Sequence, residues 1–228
     1  MNLVELDEGP RLYVDADLIS ETIMMTGAWE WPLSELIRNE LRPTDTFLDL
    51  GAHIGYFSIL AAPICQTVVA IEPQIEAMEL LKKSTDVNAF ANIQCVCAAV
   101  GFGRGTVRLK RTLPNTGSSF VGEEGSEISA IDVSDILPGG ADVIKMDIEG
   151  AEHNLLALEP WLLERPRMVF FEYAPTVLRR YGATGVDLLQ HFEQFAITRL
   201  DGAKVSENSL PVDDNWYINL VARRRFNG

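Results

Sequence analysis

Short apolar runs rich in β-branched residues alternate with helical stretches between about residue 46 and residue 163. This alternation is typical of a parallel sheet whose strands are joined by crossover helices. Residues 67–71 are apolar almost throughout, which indicates a strand buried on both faces at the centre of such a sheet. The pattern predicts strands at 46–50, 67–71, 93–100, 142–148 and 168–173, and helices at 56–64, 75–88 and 151–163.

Three other regions lie outside this alternation. Residues 31–41 have helical periodicity and stop before Pro43, so we expect a helix in a cap beside the sheet. Residues 112–126 are rich in glycine, serine and turn-forming residues, which predicts a mobile loop. The last predicted elements are a helix at 186–195 and a closing pair of strands at 197–200 and 216–222.

The composition fits one folded domain. The chain has 228 residues, of which 47% are hydrophobic and 23% charged, so disordered and fibrous classes are excluded. We expect a single domain over residues 1–228, with an N-terminal cap segment at 1–44 and an α/β core at 45–228. The 19 Lys and Arg against 33 Asp and Glu give a net charge of −14, which argues against a nucleic-acid partner.

The sequence also bears on compartment and partners. No apolar run approaches the roughly 20 residues that span a bilayer, and the acidic first ten residues do not resemble a signal peptide. The three cysteines form no metal-finger spacing and favour a reducing compartment. We therefore expect a cytoplasmic protein without a membrane partner. An exposed sheet edge or an aromatic cap could support a homodimer.

The strongest local signal is a glycine turn after the first strong strand. Asp49 comes near the end of that strand, Gly51 and Gly55 follow four residues apart, and a helix begins at Tyr56. Gly51 lets the backbone turn without a Cβ clash, and Gly55 lets the helix start approach a ligand closely. The spacing is neither the dinucleotide fingerprint nor a P-loop. A carboxylate at Asp49 suits a cationic ligand and would repel a pyrophosphate.

An acidic residue also ends the second strand. Glu72 lies 21 residues after Gly51 and is followed by Pro73. A carboxylate at this place can accept both ribose hydroxyls of a nucleoside, and the proline stiffens the turn. NAD sites and S-adenosylmethionine sites share this arrangement. An NAD-linked oxidoreductase and a non-catalytic nucleoside-binding module therefore stand as alternatives to a methyltransferase.

Three segments resemble the FkbM family of S-adenosylmethionine-dependent methyltransferases. They are residues 47–58, 69–73 and 144–152, and the last, IKMDIEGAE, is the most specific. The resemblance implies a Rossmann-like class I methyltransferase fold, with a mostly parallel seven-stranded sheet and helices on both faces. It also implies transfer of a methyl group to a hydroxyl of a natural product or sugar. The residues expected to bind S-adenosylmethionine are Asp49, Gly51, His53, Gly55, Tyr56, Glu72, Pro73, Ala98, Ala99 and Asp147.

Carboxylates also follow the fourth and fifth strands. Asp147 and Glu149 are two residues apart and point to the same side, together with Lys145. Glu172 ends the next strand and should reach the same crevice, beyond the carboxyl ends of the strands. His53 occupies a place where the family usually has Asn, and it brings a side chain that titrates near neutrality.

A hydroxyl acceptor must lose a proton during methyl transfer, and repulsion between carboxylates raises the pKa of one of them toward the working range. Asp147, Glu149, Glu172 and His53 are therefore the candidate catalytic residues. The same carboxylates could hold Mg²⁺, which we do not favour, or form a structural ion-pair network with Lys145. The expected reaction is methylation of a small-molecule hydroxyl, with N- or C-methylation of an aromatic or heterocyclic metabolite as the alternative.

Overall fold

A computed structural model describes residues 1–7, 9–205, 210 and 217–225. The strands are β1 (Asn2–Glu5), β2 (Arg11–Val14), β3 (Thr46–Leu50), β4 (Thr67–Ile71), β5 (Ile93–Val96), β6 (Gly105–Lys110), β7 (Phe120–Gly122), β8 (Ser126–Ala130), β9 (Val143–Met146), β10 (Met168–Tyr173), β11 (Phe195–Arg199) and β12 (Ile218–Arg224). The α-helices are α1 (Leu18–Thr26), α2 (Trp31–Glu40), α3 (Tyr56–Ala61), α4 (Ile75–Val87), α5 (Glu152–Leu158), α6 (Pro175–Arg180) and α7 (Gly185–Gln190).

Seven strands form the central sheet, in the order β11-β12-β10-β9-β3-β4-β5. The five strands from β10 to β5 pair in parallel, whereas β12 is antiparallel to both of its neighbours. β3 lies in the middle of the parallel part, where Phe47 pairs with Val68 of β4 and with Val143 of β9. The predicted α/β architecture with a mostly parallel seven-stranded sheet is confirmed.

Helices cover both faces of this sheet. Successive residues of a strand point to opposite sides, and the strands are apolar on both sides, so each face packs against helices. Phe47 of β3 belongs to one buried cluster, together with Leu33 of α2 and Leu81 of α4. The next residue, Leu48, belongs to a second cluster with Leu155 of α5 and Leu188 of α7. No described helix is both long enough and apolar enough to cross a membrane.

The strand predicted at 93–100 is shorter, because the chain changes partner after Val96. The Ala99 N–H donates to the Ser129 carbonyl at 2.8 Å, and the Ile131 N–H donates to the Ala99 carbonyl at 3.0 Å. These bonds connect the end of β5 to a separate antiparallel sheet of three strands, ordered β7-β6-β8. The strand pattern of the sequence did not predict this second sheet.

The segment 112–126 also differs from its prediction as a loop. It contains a 3-10 turn at Thr116–Ser118 and all of β7. Thr116 and Ser119 are buried, and the Ser119 hydroxyl donates to the Thr116 carbonyl at 2.7 Å. The segment is therefore built into the fold through polar side chains.

The predicted helices are found with shorter bounds. α3 ends at Ala61. The helix predicted at 151–163 splits, because Pro160 lacks an N–H and begins a separate 3-10 turn. α7 ends at Gln190, before β11 begins at Phe195. Trp216, with which the last strand was predicted to begin, lies outside the described residues.

The first 44 residues contain β1, β2 and α1 in addition to the predicted helix α2. β2 lies against α4, where the Ser84 hydroxyl accepts from the Tyr13 N–H at 2.9 Å and the Asn88 side chain accepts from the Arg11 N–H at 2.8 Å. The division into a cap at 1–44 and a core at 45–228 within one domain stays a prediction.

The glycine turn after β3 is packed against the turn that follows β9. Gly51 has a left-handed backbone, with φ of +73°, and its N–H donates to the Ile71 carbonyl at 3.0 Å. A Cβ on Gly51 would overlap the backbone carbonyl oxygen of Asp147. The absence of a side chain thus lets the ends of β3, β4 and β9 meet.

We expect Gly51→Ala to lower the free energy of unfolding by at least about 2 kcal/mol more than Gly103→Ala does. Gly103 has a similar φ of +69°, but no atom lies within 4 Å of the place that a Cβ would take, so its substitution measures the backbone cost alone. Urea unfolding of both variants checks this expectation. Equal losses would show that the contact with Asp147 does not constrain the turn.

Candidate functional site

A narrow cavity lies beyond the carboxyl ends of β3, β4 and β9. It has about 90 Å³ of space open to water-sized groups, and its walls are both polar and apolar. The glycine turn forms one wall, the ends of β4 and β9 form the next, and residues around β6 and β7 close it. The lining includes Gly51, Ala52, His53, Tyr56, Glu72, Pro73, Gln74, Ala98, Ala99, Val100, Phe102, Leu109, Gly117, Ser119, Phe120, Lys145, Asp147 and Glu149.

A buried lysine holds the wall together. Lys145 Nζ lies 3.5 Å from Asp49 Oδ1 and 3.6 Å from Asp147 Oδ2, and it donates to the Gly51 carbonyl at 3.1 Å. Burial lowers the pKa of Lys145, but the attraction of Asp147 and Asp49 outweighs it, so that the pKa is raised above the ordinary lysine value. Lys145 is therefore a fixed positive charge.

Two residues predicted to bind the cofactor lie behind this wall rather than on it. Asp49 has no exposed surface, and its Oδ2 accepts from the Ser58 hydroxyl at 2.6 Å. The close neighbour of Gly55 is Leu81 of α4, which a Cβ on Gly55 would overlap. Asp49 thus anchors Lys145, and Gly55 lets α3 pack against α4.

Glu72 is buried at the end of β4 and lines the cavity. Oε2 accepts from the His53 N–H and Oε1 accepts from the Gln74 N–H, each at 2.8 Å. Burial raises the pKa of Glu72, and these hydrogen bonds partly offset that rise. The two backbone bonds fix the orientation of the carboxylate, which suits the recognition of a diol.

His53 is held in a left-handed backbone, with φ of +51°, a region that Asn and His adopt more readily than most residues. Its Nε2 lies 2.8 Å from the Thr116 hydroxyl oxygen and 3.6 Å from Asp17 Oδ2. Burial lowers the pKa of His53 to about 4, so the ring is neutral at pH 7. Its Nδ1 is buried without a hydrogen-bond partner among the described residues.

A second, wider cavity of about 460 Å³ adjoins the first. Asp147 and Glu149 line both cavities, and Glu30 and Glu172 line the second one. Burial, followed by repulsion from Asp147, raises the pKa of Glu149 to about 8. The same two causes raise the pKa of Glu172 well above its ordinary value.

The turn that carries Asp147 and Glu149 is strained and is held from both sides. Glu149 has a φ of +56°, which is unusual for a residue with a side chain. Glu152 Oε1 accepts from the Ile148 N–H at 2.9 Å, and the Arg180 guanidinium donates to the Glu149 carbonyl at 3.1 Å. Arg180 also lies 3.6 Å from the ring centre of Phe120. These contacts fix the two carboxylates at the junction of the cavities.

Comparison with known proteins decides the class. The family model described as "Methyltransferase FkbM domain" matches residues 49–195, well over half of the chain. The chain belongs to the FkbM methyltransferase family. The members of this family are S-adenosylmethionine-dependent methyltransferases, as the resemblance implied. No match is found among curated protein sequences.

Solved structures similar to this FkbM chain show the Rossmann-like class I methyltransferase fold. The M. jannaschii tRNA m1G37 methyltransferase is 13% identical with a TM-score of 0.55, over 100% of this chain and 57% of that one. M. jannaschii TYW2 in complex with AdoMet is 16% identical with a TM-score of 0.52, over 98% and 86%. An rRNA methylase from Streptococcus thermophilus is 8% identical with a TM-score of 0.52, over 84% and 93%. The chain thus spans a little over half of the first of these. At such identities the likeness shows the fold alone.

The residues present fit S-adenosylmethionine. Glu72 offers an oriented carboxylate for a ribose, and Val100, Phe102 and Leu109 offer an apolar wall for the adenine. Asp147 offers a negative charge for the sulfonium and the ammonium groups. The Nδ1 atom of His53, buried without a partner among the described residues, is a further polar atom that a ligand could pair with.

The remaining residues predicted for the site lie where a ligand could reach them, although their roles stay predictions. The first cavity is lined by Gly51, Tyr56, Pro73, Ala98 and Ala99. Among the candidate catalytic residues, His53 lies in the first cavity, Glu172 in the second, and Asp147 and Glu149 in both. In the part of the chain that the structure describes, no group of three or more His, Cys, Asp or Glu side chains could hold a metal ion.

Several site residues were missed by the sequence reasoning. Asp17 is the N-cap of α1. An acidic residue before an apolar helical run predicts such a cap, but it does not predict the contact of Asp17 with the site. Thr116 and Gln74 had no sequence signal. Arg180 lies in a helix that was not predicted.

The raised pKa of Glu149 has a consequence for stability. A carboxyl whose folded pKa lies above its unfolded value of about 4.3 stabilises the fold fully below that value, and the contribution is lost as the pH rises through the folded pKa. Stability should therefore fall between about pH 4.5 and pH 8. Glu149→Gln should remove at least about 1.4 kcal/mol of that fall, the free energy of a tenfold change in proton affinity.

Urea unfolding of the wild type, Glu149→Gln and the exposed control Glu127→Gln across this pH range measures the effect. The control should follow the wild-type curve. A Glu149→Gln curve parallel to the wild type would contradict the raised pKa.

Proposed function

We propose that this methyltransferase acts on a small-molecule acceptor of the natural-product or sugar type, and that the methyl group goes to a hydroxyl oxygen. One observation carries the proposal: Asp147 and Glu149 line both cavities. Two carboxylates thus stand where a donor in the narrow cavity and an acceptor in the wide cavity would meet.

The charge of the wide cavity supports a small acceptor over a nucleic acid. Four carboxylates line it, and none of its described lining residues is a lysine or an arginine. The whole chain carries a net charge of −14. Even where these carboxyl groups carry protons, the lining offers a phosphate backbone no positive charge to bind, whereas an uncharged polyol or a cation would be tolerated. The three free cysteines support a reducing, cytoplasmic location.

The proton of the acceptor hydroxyl needs a base near the junction. S-adenosylmethionine, when bound, supplies a methyl group activated on a sulfonium. Glu149, with a pKa of about 8, exchanges its own proton near neutral pH and can take the hydroxyl proton onto a carboxylate oxygen. Glu172 stands in the same cavity as a second acceptor of the proton. Lys145 balances the charge of Asp147 from the protein side of the cavity wall.

A labelled-methyl screen tests the acceptor class. The protein is incubated with labelled S-adenosylmethionine and with sets of polyols, amines, indole-type heterocycles and RNA. Transfer to a hydroxyl of an uncharged or cationic small molecule is expected. Transfer only to RNA, or only to nitrogen or carbon, would overturn the proposed acceptor.

Carboxamide variants then separate binding from chemistry. Glu149→Gln and Glu172→Gln should each leave the Kd of S-adenosylhomocysteine within about twofold of wild type. Substitution of whichever carboxylate acts as the base should lower kcat by roughly a hundredfold or more. Glu72→Gln should instead weaken S-adenosylhomocysteine binding by on the order of tenfold. Calorimetry gives Kd, and the labelled transfer gives kcat, with Glu127→Gln as the control. Unchanged kcat in both cavity variants would make their carboxylates structural.

A further inference from the structure

Three buried polar side chains from distant parts of the chain meet at the glycine turn. Asp17 is 6% exposed, Thr116 is 5% exposed, and the side chain of His53 is 13% exposed. Thr116 Oγ1 lies 2.6 Å from Asp17 Oδ2 and 2.8 Å from His53 Nε2. We call this cluster of Asp17, Thr116 and His53 the histidine relay.

The directions of these hydrogen bonds follow from the chemistry of the groups. The pKa of Asp17 is lowered, because the hydrogen bonds from Thr116 and Ser20 outweigh the effect of burial, so its carboxylate only accepts. Asp17 Oδ2 therefore receives the one hydrogen of the Thr116 hydroxyl. That hydroxyl oxygen must then accept from His53, whose proton sits on Nε2. Because the ring is neutral, Nδ1 carries a lone pair and no hydrogen.

The relay is tied to the carboxylate expected to bind ribose. The Thr116 carbonyl accepts from Gln74 Nε2 at 3.0 Å, and the Gln74 N–H donates to Glu72 Oε1. On the other side, the His53 N–H donates to Glu72 Oε2. A closed ring of hydrogen bonds thus runs from Glu72 through His53, Thr116 and Gln74 back to Glu72.

This ring leaves one polar atom unpaired. Nδ1 of His53 is buried and has no partner among the described residues, although His53 lines the narrow cavity. A buried acceptor without a partner costs the free energy of its desolvation. A donor from a bound ligand would remove that cost, whereas packing alone would not. The donors expected in this cavity are the ribose hydroxyls, because His53 and Glu72 line it together and the His53 N–H is bonded to the Glu72 carboxylate.

We propose that Asp17 and Thr116 are positioning residues of the cofactor site. They hold His53 as the Nε2–H tautomer, so that Nδ1 accepts a hydrogen bond from one ribose hydroxyl of the bound nucleoside while the other hydroxyl donates to Glu72. The proposal rests on nucleoside binding in the narrow cavity and not on the acceptor. Its tests need neither an acceptor nor turnover, so its failure is distinguishable from failure of the proposed acceptor chemistry.

Nitrogen NMR of the protein with labelled histidine rings tests the tautomer. The chain has three histidines, and a His53→Asn variant assigns the resonance. Without ligand, His53 should show a bare Nδ1 and a protonated Nε2. Saturating S-adenosylhomocysteine should move the Nδ1 resonance, and its 2′,3′-dideoxy analogue should not. A protonated Nδ1, no movement, or equal movement with both ligands would overturn the proposal.

Binding measurements test the two positioning residues. Thr116→Val removes the hydroxyl and should weaken S-adenosylhomocysteine binding by on the order of tenfold, while Thr116→Ser should restore it to within about twofold. Asp17→Asn should shift the His53 tautomer ratio and weaken binding in the same direction. Thermal unfolding identifies any variant that fails to fold, and the NMR result for the wild type stands independently of the variants. Wild-type Kd and tautomer ratio in folded Thr116→Val would contradict the proposal.

Discussion

The buried ammonium of Lys145 is the constraint on which the site depends. It joins Asp49 at the end of β3, the carbonyl of Gly51 in the glycine turn, and Asp147 after β9. A charge so deep in the protein is stable only with partners on several sides. The ends of β3 and β9 and the glycine turn after β3 must therefore keep their mutual positions, and they form walls of the narrow cavity.

Beyond Lys145, the site contains more acid than base. Glu30, Glu149 and Glu172 surround the wide cavity, and their pKa values are raised because burial and mutual repulsion disfavour the charged form. Near neutral pH, some of these carboxyl groups are therefore neutral because they have bound a proton, and not because a cation lies beside them. A site arranged in this way can take up or release a proton at little cost, which is what methylation of a hydroxyl requires.

The parallel sheet and the main carboxylates could be predicted from the sequence, because both depend on local pattern. A run such as residues 67–71 identifies a buried strand, and an acidic residue that follows it must lie at the carboxyl end of that strand, where the ligand crevice is. The motif IKMDIEGAE placed Asp147 and Glu149 for the same reason. The position of Asp49 could not be predicted, since alternation along a strand does not tell whether a carboxylate faces a ligand or a buried lysine.

The histidine relay could not be predicted for a different reason. Asp17 and Thr116 are 99 residues apart, and their contact depends on how α1 and the 3-10 turn pack over the glycine turn. The second sheet, which holds this turn in place, arises from pairing between segments whose individual strand signals are weak. Long-range packing of this kind leaves no periodic trace in the sequence.

A crystal structure of the complex with S-adenosylhomocysteine would locate the cofactor relative to the two cavities. The nucleoside is expected in the narrow cavity, with its ribose at Glu72 and its sulfur facing the junction at Asp147 and Glu149. The sulfur would then face the wide cavity. Density for the nucleoside in another place, or a sulfur turned away from the two carboxylates, would contradict the account.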